Sequence, residues 1–228
     1  MTTTNTFSFN PALADVVINA FGRIQIRRTE LLAEHLSDAA TEANLLLTEW
    51  ANRQVNLWTS TAFVLNLSQG TATYALPVNM VTILIATLTI TDIAGNAQDR
   101  VMAPVSTTEY ASYTNKVAQA PPTVFWLDRQ IAPKLTLWPV PDAAYTLKIQ
   151  YVRQVQDAGV MNGTTLEVPY RWLDCFTAGL AARLAQIYRP ALAQYLDSKY
   201  ERAWVLAANQ DTEDVPLYVT PCLEGYFR

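Results

Sequence analysis

The spacing of apolar residues changes twice along this chain, and these changes limit the folds that it can adopt. Over 11–22 and 29–50, apolar residues recur every three or four positions, as on one face of a helix. Between Leu57 and Val152 they alternate with polar residues, as in half-buried strands, and from Val168 the helical spacing returns. This order predicts an α+β fold, in which the N- and C-terminal segments form one helical bundle with an antiparallel β-meander insertion.

The same changes divide the chain into four predicted segments. Residues 1–57 form a helical part, 58–157 a β-rich domain, 158–210 a helical part that completes the bundle, and 211–228 an extended C-terminal tail. A chain of 228 residues can bury a full hydrophobic core without disulfide bonds.

Capping residues and proline predict where the helices begin and end. Asn10 is the expected N-cap of the first helix, with Pro11 at its first position, and the second helix is expected to begin near Thr29. Pro190 ends one C-terminal helix and opens the last one. The predicted buried stripe of the second helix is Leu32, Leu36, Ala39, Ala43, Leu46 and Trp50. That of the last helix is Leu192, Tyr195, Leu196, Ala203 and Leu206.

In the strand region, the pattern predicts a strand over 81–90 with one buried face and one threonine-lined face. A return strand is expected over 100–105, and a short helix within 106–119. The runs 134–138 and 145–152 are predicted to pair as an antiparallel hairpin, because the prolines and aspartate between them exclude helix and favour a turn.

The charge balance argues against a protein that binds nucleic acid through its phosphate groups. The chain has 16 Lys and Arg against 20 Asp and Glu, for a net charge of -4, whereas phosphate binding needs an excess of cations. A weakly acidic lining would instead suit a channel through which DNA slides. Only 16% of residues are charged, less than the usual quarter, so much neutral surface is available for protein contacts.

Catalytic groups are scarce. His35 is the single histidine and is expected to be a solvated helix residue, while Cys175 and Cys222 lack the spacing of a metal or disulfide site and are expected to pack as small hydrophobes. No glycine-rich nucleotide-binding motif is present. We therefore predict no catalytic, cofactor-binding or metal-binding residues and no enzymatic activity.

Three carboxylates leave one catalytic alternative open. Glu109, Asp128 and Asp142 could converge as the acidic pair of a glycosidase, although residues of this kind usually serve turns and caps. The aromatic residues of the strand region could stack bases or sugars, but few cations lie near them, so we expect core and interface packing. No secretory signal or membrane helix is predicted.

Three motifs in a fixed order carry a resemblance to a known family. They are a helix ending in tryptophan at Ala39–Trp50, a glycine-to-proline element at Gly70–Pro77, and the Leu-x-Leu-Trp-Pro-x-Pro run at Leu135–Pro141. Over roughly Glu30 to Leu206 the chain resembles the head-to-tail adaptor (connector) proteins of short-tailed, and some long-tailed, double-stranded DNA phages.

The resemblance implies a structural virion protein of the neck, assembled in the host cytoplasm. Twelve copies would form a ring below the portal. This ring would join the portal to the tail nozzle, extend the DNA channel and help to retain packaged DNA. The implied partners are the portal protein, the nozzle protein and further copies of this chain. Double-stranded DNA would pass through without sequence-specific contact, and no cofactor or membrane is implied.

Two groups of residues are candidates for these contacts. Adaptors often dock on the portal through a C-terminal extension, for which the candidates here are Pro216, Leu217, Tyr218, Pro221, Tyr226, Phe227 and Arg228. The candidates for contact with a neighbouring subunit or the nozzle are Trp126, Trp138, Pro139, Pro141 and Asp142. The alternative functions are a carbohydrate-binding or glycan-cleaving tail protein, or another neck or tail-completion protein.

Overall fold

The computed structural model describes residues 5, 9–53, 57–91, 95–159 and 165–211. The helices are α1 (Leu13–Arg23), α2 (Ala33–Arg53), α3 (Thr107–Ser112), α4 (Leu173–Tyr188) and α5 (Pro190–Ala208). The strands are β1 (Ser60–Leu67), β2 (Thr73–Ala75), β3 (Met80–Thr91), β4 (Ala97–Val101), β5 (Ala103–Pro104), β6 (Val124–Asp128), β7 (Lys134–Trp138) and β8 (Tyr145–Arg153). The predicted α+β class is confirmed.

The helices from both ends of the chain share one hydrophobic core. Residues of α1, α2, α4 and α5 pack into a single cluster. At its centre the Trp50 ring lies 4.9 Å from that of Trp172, 5.6 Å from Trp204 and 5.8 Å from Phe176, measured between ring centroids. Fully buried aromatic rings contribute more burial per residue than any other side chains, so this cluster is the main stabilising element of the bundle.

A network of ion pairs joins three of these helices beside the aromatic cluster. Arg183 of α4 donates to Glu42 and Glu49 of α2, with N–O distances of 3.2 and 2.5 Å, and Arg53 bridges Glu49 to Glu201 of α5. Burial acts to raise the pKa of Glu49, but the hydrogen bond from Arg183 and the charges of Arg53 and Arg183 outweigh it and lower this pKa. Glu49 is therefore ionised and paired at neutral pH.

The helix starts differ from those predicted. α1 begins at Leu13, and Ala12 rather than Asn10 precedes it, because Ala12 has extended backbone and forms a β-bridge with Thr165. Residues 28–30 form a 3-10 turn, so α2 begins at Ala33. Leu32 lies before the helix and is 58% exposed, which removes it from the predicted stripe, whereas the stripe from Ala39 to Trp50 is buried as expected.

The buried face of α5 also differs from the prediction. It consists of Leu196, Tyr200, Trp204 and Ala207, whereas Tyr195 and Leu206 are 60% and 63% exposed. Apolar residues occupy two faces of this helix, and the face carrying the largest rings is the one that packs in the core. The exposed apolar face remains available for other contacts.

The strands form a two-layer sandwich. The first sheet has the order β1-β8-β3-β4 and is antiparallel, while the second has the order β2-β7-β6-β5 and contains one parallel pair, β5 with β6. The inner faces of the two sheets share one apolar cluster. This core includes Leu88, Leu147 and Ile149 from the first sheet and Phe125, Leu135 and Leu137 from the second.

The predicted hairpin between 134–138 and 145–152 is wrong. β7 pairs with β2 and β6, whereas β8 pairs with β1 and β3 in the other sheet. The connecting residues bond elsewhere: the Val140 N–H donates to the Ala118 carbonyl at 2.9 Å, and the Pro141 carbonyl accepts from Gly70 N–H at 2.8 Å. Residues 139–144 therefore carry the chain from one layer of the sandwich to the other.

The expected return strand over 100–105 is likewise split between the layers. β4 ends at Val101 in the first sheet and β5 begins at Ala103 in the second. Buried Met102 marks the crossing, and its N–H donates to the Ala86 carbonyl at 2.9 Å. The threonine-alternating strand over 81–90 is confirmed as the core of β3, with Ala86 and Leu88 on the buried face.

Candidate assembly surfaces

The two tryptophans predicted as interface residues lie on the outer face of the second sheet. Val124 is the cross-strand partner of Trp138, and Trp126 is that of Thr136. Because side chains alternate along a strand, both tryptophans point away from the buried Phe125. We call the outer side of the second sheet, with Trp126 and Trp138, the aromatic face.

Two tyrosines from α3 and the loop after it cover part of the aromatic face. Tyr110 stacks on Trp126 with 5.2 Å between ring centroids, and Tyr113 stacks on Trp138 at 4.2 Å. The Trp138 Nε1–H also donates to the Asn115 carbonyl at 2.9 Å. One side of each tryptophan ring is thus occupied by the chain itself, which leaves less open ring surface for a sugar. Contact of these tryptophans with another subunit remains a prediction.

The neighbouring turn is fixed by hydrogen bonds. Pro141 is buried and Pro139 half-buried, and Gly70, whose N–H binds the Pro141 carbonyl, has a φ of 77° that favours glycine. Asp142 Oδ1 accepts a hydrogen bond of 2.7 Å from the Tyr145 hydroxyl. Burial, together with this bond, raises the pKa of Tyr145 to about 12. The turn therefore presents a preformed surface beside the aromatic face.

The outer face of the first sheet is open. One cross-strand row runs from Val64 through Lys148 and Thr87 to Val101, and Val64 and Val101 are 58% and 62% exposed. Lys148 forms an ion pair of 3.0 Å with Asp99 in the next row. We call this mixed apolar and polar surface the open sheet face; it lies on the opposite side of the sandwich from the aromatic face.

A groove on the helical bundle is a third exposed surface. Two adjoining cavities of about 480 and 540 Å³ share Arg23 and Asp174, which form an ion pair of 2.8 Å. The floor and rims come from α1, the first half of α4 and the exposed side of α5, where Tyr195, Lys199, Arg202 and Leu206 follow one another. We call this the α5 groove. The helical spacing of these residues is visible in the sequence and indicates that they share one face of α5. From the same spacing, however, Tyr195 and Leu206 were predicted to be buried in the core.

The single histidine serves helix packing. The prediction of a solvated side chain is wrong: His35 is half-buried, with its ring centroid 4.9 Å from that of Tyr188 and 5.6 Å from that of Phe21. Its Nδ1 accepts a hydrogen bond of 3.0 Å from the Leu32 N–H, just before α2 begins. The Tyr188 hydroxyl donates to Asp38, so this cluster ties α1, α2 and α4 together.

The other candidate catalytic groups are engaged locally. Burial, with the charge of Asp174, raises the pKa of the Cys175 thiol to about 12, so the thiol is a poor nucleophile near neutral pH. Ser106 caps α3, because its Oγ accepts from the Glu109 N–H at 3.1 Å, and the Glu109 carboxylate accepts from the Tyr113 hydroxyl at 3.5 Å. Asp142 accepts from Tyr145, and Asp128 ends β6. Among the described residues, no group of three or more His, Cys, Asp or Glu could hold a metal ion.

The predicted portal-docking residues Pro216, Leu217, Tyr218, Pro221, Tyr226, Phe227 and Arg228 lie outside the described residues, as does Cys222. In the part of the chain that is described, no helix has the length and apolarity needed to cross a membrane.

Comparison with protein families places the chain beside phage adaptors. The model of a family described as SU10 adaptor protein matches residues 12–220, which include both helical ends and the whole strand region. No curated protein matches the chain.

Proposed function

The chain belongs to the SU10 adaptor protein family, a family of phage head-to-tail adaptors, and we propose that its copies form a ring that joins the portal to the tail nozzle. As a member of this family it is a structural component of the virion. The family match over residues 12–220 is the observation that carries the proposal. In the proposed role, the ring extends the DNA channel and helps to retain packaged DNA.

Two opposite surfaces of the sandwich support ring formation. A ring of identical copies needs two unlike faces, one of which binds the other on the next copy. The open sheet face carries exposed Val64 and Val101, and the aromatic face carries Trp126 and Trp138, with the Pro139–Asp142 turn beside it. In the proposed ring, the aromatic face of one copy packs on the open sheet face of its neighbour. Aromatic residues are enriched at such interfaces.

The charge of the chain supports the proposed DNA channel. A net charge of -4 provides no excess of cations for holding phosphates. DNA that moves through a ring during packaging and ejection must not adhere to its wall, and a neutral to weakly acidic surface meets this need.

The proposed axial contact uses the C-terminal tail. The segment 212–228 contains the apolar and aromatic residues named above, and a segment of this composition can insert into a partner's surface. In this role the tail docks on the portal, while the nozzle binds on the other side of the ring, and assembly takes place in the host cytoplasm.

Imaging of the full chain mixed with its portal tests the ring. Negative-stain class averages should show a closed ring on the portal, and symmetry analysis should give twelve copies. The double variant Val64→Glu with Val101→Lys keeps the net charge and should abolish the ring. The control, Val78→Glu with Ile131→Lys, changes two exposed apolar residues in loops and should retain it. A wild-type chain that stays solitary beside portal and nozzle would refute the proposal.

A further inference from the structure

The α5 groove is apolar along its floor and carries the cations Lys199 and Arg202 on its α5 side. Lys199 lies 5.4 Å from the Tyr195 ring centroid, but within the described part of the chain neither it nor Arg202 forms an ion pair. Tyr195 and Leu206, both more than half exposed, lie beside these cations. The groove is thus suited to an extended segment that combines carboxylates with apolar side chains.

The chain itself contains such a segment directly after its last described residue. Glu213 and Asp214 precede the run Val215-Pro216-Leu217-Tyr218-Val219. Residues 1–8, which precede the groove residue Phe9 in the sequence, contain no charged side chain and so do not complement the cations.

Asp211, the described residue that precedes this segment, is held in place by an ion pair at the end of the bundle where the groove lies. Asp211 is buried and forms an ion pair of 2.7 Å with Arg171, which lies two residues before the start of α4 and three before the groove residue Asp174. An extended chain covers about 3.5 Å per residue, so 213–219 reaches roughly 28 Å from Asp211. The helix between Leu206 and Tyr195 is only roughly 17 Å long. A tether this short gives an effective concentration in the millimolar range.

We propose that the segment 213–219 docks in the α5 groove of its own chain. Glu213 and Asp214 pair with Arg202 and Lys199, and Val215, Leu217 and Tyr218 lie on the apolar floor formed by α5 and α4. Docking of the C-terminal tail on the portal, if it follows the function proposed above, then requires release from this groove. The groove would hold the tail of a free copy until a portal competes for it.

Limited proteolysis of the full chain tests this docking. Chymotrypsin cleaves after Tyr218 only when the segment has left the groove, whereas cleavage after Tyr226 or Phe227 serves as an internal reference. Mass spectrometry follows each cut at low ionic strength, because exposed ion pairs are screened by salt. Cleavage after Tyr218 should be about tenfold faster in the variant Lys199→Glu with Arg202→Glu, and equally faster in Glu213→Lys with Asp214→Lys.

The combined fourfold variant restores opposite charges and should return to within about twofold of the wild-type rate. The matched control is Arg100→Glu with Lys134→Glu, two exposed cations on the sandwich, and it should cleave like the wild type. Circular dichroism should show the same folded state for every variant, because all the changed residues that the structure describes are exposed.

Three results would overturn the proposal. Equal cleavage after Tyr218 in the wild type and the charge variants would show that the segment is not docked. Protection that grows with protein concentration would show docking on a second copy. Failure of the fourfold variant to recover would show that these four charges do not meet. All measurements use the free chain, so their outcome does not depend on whether the proposed ring forms.

Discussion

The helical bundle and the β-sandwich are stabilised in different ways. The bundle has four large rings, Trp50, Trp172, Phe176 and Trp204, at its centre, with a network of ion pairs beside them. The sandwich core is mainly aliphatic, and its Lys148–Asp99 ion pair lies on the exposed surface. The bundle therefore uses its polar groups to hold its own helices together, while the sandwich leaves the open sheet face exposed.

The largest losses of stability are expected when a buried side chain is truncated in either of the two cores. Trp50→Ala should lower the free energy of unfolding by about 3–5 kcal/mol, because the ring is fully buried and its Nε1–H donates to Tyr200. Leu147→Ala in the sandwich should cost about 2–4 kcal/mol. Urea denaturation measures both. A smaller loss at Trp50 than at Leu147 would contradict the view that the aromatic cluster dominates the bundle.

A smaller effect is expected where the helices approach most closely. A Cβ atom at Gly179 of α4 would lie 2.8 Å from Tyr200 Cε2 and 3.0 Å from both Leu46 methyl groups. Gly179→Ala should therefore destabilise the bundle by about 1–3 kcal/mol. Gly22→Ala in α1 is the matched control, since a Cβ there meets nothing within 4 Å. It should leave stability unchanged or raise it by up to about 1 kcal/mol. Thermal unfolding of both variants gives the comparison.

The ion-pair network should make the bundle sensitive to acid. Glu49→Gln should cost about 1–2 kcal/mol at pH 7, because Arg183 and Arg53 lose a charged partner. The pKa of Glu49 is lowered in the folded state, so its contribution is complete above the unfolded value near 4.5 and is lost as pH falls through the lower folded pKa. Wild type and variant should thus converge in stability below about pH 4.5.

Denaturation over a pH series measures this convergence. Asp197→Asn, on the exposed side of α5, is the control and should parallel the wild type at every pH. A stability gap between Glu49→Gln and wild type that is constant from pH 7 to strongly acidic conditions would show that the carboxylate charge does not matter.

The smallest effect on stability is expected at the open sheet face. Val64→Glu with Val101→Lys, the variant proposed to prevent ring formation, should change the free energy of unfolding by less than about 0.5 kcal/mol per site, because both side chains are mostly exposed. Denaturation of the free chain measures this. A large loss would mean that these residues support the fold, and any loss of the ring would then carry no information on the interface.

The sequence was sufficient to predict the fold class but not the strand pairing. Helical and alternating periods are local properties, so the bundle, the strands and the buried face of β3 followed from them. The residues between β7 and β8 favour a turn whether the next strand returns to the same sheet or crosses to the other. That choice depends on distant partners such as Gly70 and Ala118, which no local pattern identifies.

The candidate surfaces also depend on contacts between distant parts of the chain, which the sequence pattern does not identify. The predicted contact of Trp126 and Trp138 with a neighbouring subunit or the nozzle stays a prediction, and their stacking with Tyr110 and Tyr113 depends on how α3 folds over the sheet. The α5 groove was missed because apolar residues lie on two sides of that helix. Only the packing of Tyr200 and Trp204 in the core decides which side is left exposed.

The pairing of β1 with β8 has a mechanical consequence. The chain leaves the bundle at Ser60 and returns to it after Arg153, and the register places Ser60 opposite Val152, so both connections emerge at the same end of adjacent strands. A pull that separates the two halves of the subunit acts along β1 and β8 in one direction. The hydrogen bonds between β8 and β3, which extend from Met80 to Thr89, then resist it together in shear rather than opening one by one. Such an arrangement transmits tension well between the bundle and the sandwich, which suits the proposed role of a joint between portal and tail.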